Sequence, residues 1–236
     1  MVSQNTVASD LVRAVYEFSD APAMSDQGQT ITYQRLGQFV SDLGTHLKSP
    51  QVVGVFGSPG LAMGASAVAC VINGRPFVHL DPAMPQMVLH NIISELQVRL
   101  IVTCEPAAPG HLPGDCETID ANALLGMPAA DFEMLEAAHV SPQDSIYLVA
   151  TSGTTGRPKC IPVAQDAAYL SYAWRDAYTP YSLGTRVGIY VFAIWEMFRP
   201  LRNGGELWFP DARTLFAPRD LANFLIENDI DEMLFT

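Results

Sequence analysis

The chain has 236 residues, 13 Lys and Arg against 25 Asp and Glu, and a net charge of −12. That length fits one large domain or two small ones. With 49% hydrophobic and 16% charged residues, the chain has ample material for a core and is not disordered over most of its length. An acidic protein whose only lysines are Lys48 and Lys159 is ill suited to coating nucleic acid or anionic lipid.

Taken in chain order, Val7, Leu11, Val15 and Phe18 recur at helical spacing and predict an amphipathic helix over 7–18. Residues 22–32 read as a hairpin turning at Asp26-Gln27-Gly28. Thr32 then caps a helix running to about Lys48, with Leu36, Phe39, Val40, Leu43 and Leu47 inward. An apolar strand is expected at 51–56. Ser58-Pro59 follows as an N-cap with proline in the first turn, opening a helix at Leu61–Ile72. The alternation goes on with a strand at 76–80, a helix near 85–96 and a strand at 99–103. Residues 105–115, with three prolines and two glycines, read as a surface loop, and 126–143 as an irregular acidic connection holding a short helix. Strand 145–150 leads into a loop of small residues. Beyond it come CIPV, a helix at 165–177, strand 186–190, helix 192–202, strand 206–210, helix 218–228 and strand 232–236. Strands alternating with helices predict a layered α/β fold with largely parallel sheets.

The acidic excess is uneven: residues 1–144 carry a net −10 and residues 145–236 only −2. Cys70, Cys104, Cys116 and Cys160 have neither CxxC nor zinc-type spacing, which predicts free thiols in a reducing, cytoplasmic setting. His46, His79, His90, His111 and His139 form no ligand pattern, so no metal site is expected in this chain. The first ten residues lack the basic start and apolar run of a signal peptide. The longest mainly apolar stretch, 61–72, is too short to span a membrane.

The loop that follows strand 145–150 carries the chemistry. TSGTTGRPK (151–159) offers Gly153 and Gly156, where main-chain N–H groups can approach an anion closely. Thr151, Ser152, Thr154 and Thr155 add hydroxyl donors, and Lys159 adds a positive charge. Read from composition alone the run is either a polyphosphate cradle or a flexible surface loop. The placing of one of two lysines inside it, beside Arg157, favours the cradle. It is not a Walker loop, because no GK[ST] follows at the required spacing.

TSGTTGRPK also resembles the signature phosphate loop of adenylate-forming enzymes, the family of acyl-CoA synthetases and of the adenylation domains of nonribosomal peptide synthetases. Three further stretches match in the same order. ITYQRL (31–36) resembles a TYxEL element. VINGRPFVHLDPAMP (71–85) resembles KAGxAYVPLDPxYP, and YVFAIWEMFRPLRNGGELWFP (190–210) resembles FDxSVWExFxxLxxGxxLVxP. The resemblance is strongest to the peptide-synthetase branch. It covers residues 1–236, but only the N-terminal part of an adenylation domain, ahead of the nucleotide-base motifs and the C-terminal subdomain with its catalytic lysine.

The resemblance implies that a carboxylic acid attacks Mg-ATP to give an acyl-adenylate and that a phosphopantetheine thiol, on a carrier protein or on CoA, takes the acyl group. Thr151, Ser152, Gly153, Thr154, Thr155, Gly156 and Lys159 would hold the ATP phosphates, with Mg2+ as counter-ion. Val191, Phe192 and Trp195 would line the substrate pocket, or else serve as ordinary core residues. Amino-acid-activating members carry an aspartate where this chain has Val191. A buried ammonium without a counter-charge is costly, so the expected substrate lacks an α-amino group: a keto, hydroxy, aryl or acyl acid. Glu196 has either a catalytic or metal role or a structural arginine partner. Tyr33 and Asp81 are expected to serve packing and turn geometry, and Cys160 stands where the family has glycine. The remaining half of the domain, and a small accessory protein, are the further partners implied. The isolated chain is expected to be inactive; a non-catalytic platform module is the alternative from another class.

Overall fold

Thr6 opens the first helix through a capping box: its hydroxyl accepts from the Ser9 N–H, and Ser9 Oγ accepts from the Thr6 N–H. The structure is a computed structural model that describes residues 6–49, 51–108, 110–128, 130, 134–151, 159–190 and 194–235. After α1 (Val7–Glu17), strands β1 (Pro22–Asp26) and β2 (Gln29–Thr32) form the expected hairpin. Gln27 and Gly28 both take positive φ, 45° and 79°, as a tight two-residue hairpin turn requires. Thr32 accepts from the Arg35 N–H to cap α2 (Tyr33–Gly44), which ends a turn short of the expected Lys48. The alternation then runs β3 (Val53–Phe56), α3 (Leu61–Ile72), β4 (Phe77–Leu80), α4 (Gln86–Glu95) and β5 (Leu100–Thr103).

Two elements follow that the sequence pattern does not announce, β6 (Glu117–Asp120) and α5 (Ala121–Leu125). ETID is polar and mostly exposed because β6 is an edge strand. The short helix expected within 126–143 lies instead at α5, where the Asp120 carboxylate accepts from the Asn122 and Ala123 N–H groups. The described residues of 126–143 hold no helix. Then come β7 (Ser145–Thr151), β8 (Lys159–Ala164), α6 (Gln165–Asp176) and β9 (Arg186–Gly188). The single helix expected over 192–202 is, in its described part, a 3₁₀ turn at Ile194–Met197 followed by α7 (Phe198–Leu201). Pro200 explains the break, having no N–H to return to Glu196. Finally β10 (Glu206–Phe209), α8 (Ala212–Phe216), α9 (Pro218–Glu227) and β11 (Glu232–Met233) complete the described elements.

The strands form two sheets, β6-β5-β3-β4-β7-β8 and β11-β9-β10-β1-β2. Every pairing is parallel except β7–β8 in the first and β1–β2 in the second. The fold is therefore layered α/β with largely parallel sheets, as the alternation of elements predicts. Pro162 sits in β8, an edge strand, where a missing ladder donor is tolerated.

Helix α3 lies between the sheets, against β3 and β4 on one side and β1 on the other. All of its residues except Ala62 are buried, so it has no polar face to turn outward. Gly64 marks the closest approach: a Cβ there would stand 2.9 Å from Phe209 Cζ of β10 and 3.1 Å from Met24 Sδ of β1. The N-terminus of α3 corrects the expected cap. Ser58 does not serve; its own N–H donates to the Glu105 carboxylate. The Leu61 N–H donates instead to Asp26 Oδ2 at 3.1 Å, a carboxylate at the hairpin turn of the other sheet.

Tyr33 is a second tie across the core. Its ring is buried, and its hydroxyl donates to the Leu201 and Gly205 carbonyls at 2.9 and 2.7 Å. Packing is thus its role, as expected from the sequence. Tyr33→Phe leaves two buried carbonyls without that donor and is expected to lower unfolding free energy by about 1–3 kcal/mol, read by urea denaturation.

Candidate functional site

Strands β7 and β8 pair antiparallel from Ser145↔Ala164 to Thr151↔Lys159, and Thr151 Oγ1 donates to the Lys159 carbonyl at 3.2 Å. The two ends of the small-residue loop are therefore fixed side by side. They sit where β7 ends, the C-terminal edge of a parallel sheet, which is where α/β proteins build ligand sites. Ser152, Gly153, Thr154, Thr155 and Gly156 lie outside the described residues. Lys159 is exposed and, among the described residues, has no ion-pair partner, so its ammonium is available to an anion. Cys160 is half-buried, and burial pushes its thiol up to about 11, which keeps it protonated and unreactive at neutral pH. All four cysteines are free.

Val191 and Phe192 also lie outside the described residues. Trp195 is in the 3₁₀ turn, partly buried and packed on the main core. The turn is held from α6 by polar bridges that sequence reasoning missed. Tyr172 Oη donates to the Trp195 carbonyl at 2.8 Å, and Arg175 Nη1 meets Glu196 Oε2 at 2.5 Å. On the next residue of α6, Asp176 Oδ1 accepts from Arg199 Nε at 2.8 Å; Thr179, just past the helix, also accepts from Arg199. Arg199 is only 3% exposed and stacks on the Tyr181 ring at 4.3 Å. Positions 172, 175 and 176 share one face of α6, and that polar spacing is the available signal. Glu196 thus has the structural arginine partner that was one of its two expected roles. Burial holds the Tyr172 phenol well above its ordinary range, so it remains a proton donor at all working pH.

Beside the turn is a cavity of about 190 Å³, walled by Arg175, Glu196, Arg199, Tyr181, Glu232 and Leu234 among others. Each acid here is engaged: Glu196 by Arg175, and Glu232 by the Tyr181 hydroxyl at 2.6 Å and Arg199 Nη1 at 3.9 Å. A larger open groove of about 740 Å³ lies at the ends of β5 and β6. Its polar groups are occupied locally, Glu105 on the Ser58 N–H, Asp120 on the α5 cap and Asn122 on the Cys104 carbonyl.

His79 and Asp81 are structural. Asp81 Oδ1 accepts from the Ala83 N–H in a tight turn. His79 Nε2 lies 2.7 Å from the Gly57 carbonyl, so a neutral ring donates there. Burial lowers the proton affinity of His79 below the ordinary imidazole value of 6.5, the hydrogen bond and the Asp81 and Glu105 charges opposing it. The unfolded chain therefore binds a proton more readily, and His79 costs stability as pH falls below about 6.5. His79→Gln is expected to lose less of its melting temperature than the wild type between pH 7.5 and 5.5, read by thermal unfolding.

The AMP-binding enzyme family matches residues 11–233. The chain is 30% identical over 204 residues to surfactin synthase subunit 1 of Bacillus subtilis, covering 80% of this chain and 6% of that protein. To the glycine betaine reductase ATRR of Emericella nidulans it is 28% identical over 229 residues, 92% of this chain and 18% of the other. The solved structure of the nonribosomal peptide synthetase FmoA3 with α-methyl-L-serine-AMP superposes with a TM-score of 0.83 at 17% identity, over 98% of this chain and 26% of that one. Among the described residues no helix is long and apolar enough to cross a membrane. With the family matched over nearly its whole length, and with an αβ-layered fold shared with a peptide synthetase, the chain belongs to the AMP-binding enzymes.

Proposed function

We propose that residues 1–236 are the N-terminal part of a carboxylate-activating adenylation unit of the peptide-synthetase type. The observation that carries this reading is the β7–β8 hairpin, which presents Lys159, exposed and without an ion-pair partner among the described residues, beside Thr151 at the C-terminal edge of the parallel sheet. Thr151, Ser152, Gly153, Thr154, Thr155, Gly156 and Lys159 hold the β- and γ-phosphates of ATP, with Mg2+ sharing the charge. A carboxylate oxygen of the acid attacks the α-phosphorus, the acyl–O–P bond forms, the bond to the β-phosphate oxygen breaks, and pyrophosphate leaves. Neutralising that leaving group and fixing its position is the loop's contribution. The acyl group then passes to a phosphopantetheine thiol; the LDP and WEMF segments favour a thiol on a carrier protein over CoA.

The acid lacks an α-amino group. Val191 supplies no counter-charge, and the neighbouring acids Glu196, Asp176 and Glu232 are each already engaged with an arginine. An ammonium seated there would remain unpaired, at a cost of several kcal/mol. Val191, Phe192 and Trp195 give the pocket an apolar lining.

The rest of the unit, in the same or another polypeptide, covers the apolar groups left exposed on the C-terminal third. No residue of α9 is buried, and Phe216, Ile226 and Phe235 are all exposed. Pyrophosphate exchange by the intact protein tests the reading. Keto, hydroxy, aryl or acyl acids are expected to support exchange at least about tenfold better than α-amino acids. A strong preference for an α-amino acid overturns the substrate class. Lys159→Ala is expected to weaken ATP and pyrophosphate binding in calorimetry, whereas unchanged binding favours a platform without catalysis.

A further inference from the structure

Helix α6 starts at Gln165, the residue after the last of β8, and β8 starts at Lys159. From the end of the phosphate loop to the far end of α6 the chain is thus one strand running without interruption into one helix. The inner face of that helix meets the Trp195–Glu196 turn at two points. Tyr172 Oη reaches a backbone carbonyl and Arg175 a carboxylate, on consecutive residues of the turn. From the other strand of the hairpin, Tyr147 of β7 stacks on Phe198, the first residue of α7 directly after the turn, with ring centroids 6.5 Å apart.

The turn needs such support. It is a single 3₁₀ turn, with poorer hydrogen-bond geometry than an α-helix, and Pro200 prevents α7 from extending back through it. Its orientation is therefore set from outside. The Arg175–Glu196 pair is largely buried, with side chains 25% and 13% exposed, so it is screened less than a surface pair. The Asp176–Arg199 pair, by contrast, anchors α7 and not the turn.

We propose that Tyr172 and Arg175 are positioning residues that hold the Trp195–Glu196 turn in register with the β7–β8 hairpin. The acid, packed against Trp195, and the phosphates, held next to Lys159, are thereby kept at one fixed spacing. This rests on the adenylation reading above. In-line attack on the α-phosphorus depends on that spacing, and a displacement of about 1 Å costs on the order of 10²-fold in rate.

The test is steady-state pyrophosphate exchange by the intact adenylation unit, comparing wild type with Tyr172→Phe, Arg175→Ala, Arg175→Lys and Glu196→Gln, each with its melting temperature. Arg175→Ala and Glu196→Gln are expected to raise KM for the acid about tenfold and to lower kcat by ten- to a hundredfold, on the order expected for a misplaced substrate. KM for ATP should stay within about twofold, since the hairpin is untouched. Tyr172→Phe keeps the buried ring and should show the same split, more weakly. Arg175→Lys, which restores the charge, should recover part of the acid KM. The proposal fails if acid and ATP KM rise together, if activity merely follows melting temperature across the set, or if folded variants match the wild type. A wild-type unit that shows no exchange with any acid instead removes the adenylation reading, and this one with it.

Discussion

The constraint on which the rest of the structure depends is the burial of α3. Eleven of its twelve residues are buried, so it has no side that water can face and must be walled in on every side. One parallel sheet covers only one side of such a helix. The second sheet, together with α1 and α2, supplies the rest, and Gly64 lets the second sheet come within van der Waals reach. The layered architecture is the solution to a single helix that is apolar all round. The C-terminal strand β10 thereby pairs with β1 of the N-terminal hairpin, although some 180 residues separate them.

Around that seam several buried polar groups are paired across long sequence distances. Tyr33 ties the start of α2 to the Leu201 and Gly205 carbonyls, and Ser25 of β1 donates to Glu206 of β10 at 2.7 Å. Arg202 meets Asp10 of α1 at 2.7 Å while stacking on Tyr169 of α6. Arg199 and Arg202 are therefore not part of a basic surface. Both are buried, and their charges go to inward carboxylates.

What the sequence made legible followed apolar periodicity and turn chemistry. The bounds of α3 come from a mainly apolar run; the hairpin comes from Asp26-Gln27-Gly28, and the cap of α2 from Thr32. Elements with neither signal were missed. ETID has no alternation to detect, because an exposed edge strand buries little. The 192–202 segment reads as one helix, and in its described part Pro200 divides it into a 3₁₀ turn and α7. The cap of α3 was assigned to Ser58 because local rules consider only adjacent residues, whereas Asp26 acts from 35 positions away. At the candidate site TSGTTGRPK is readable as a motif. The residues that orient Trp195 and Glu196 are not, since they lie on another helix and become neighbours only when α6 packs against the turn.

The Asp26–Leu61 hydrogen bond has a consequence for how the molecule opens. It joins a carboxylate on the hairpin of one sheet to the first N–H of the helix whose other face supports the second sheet. Separating the sheets uncaps α3 and exposes its apolar surface in the same event. The two sheets therefore belong to one cooperative unit, and the amide of Leu61 reports on it. Its hydrogen exchange tracks the parting of the sheets, not the fraying expected at the end of an isolated helix.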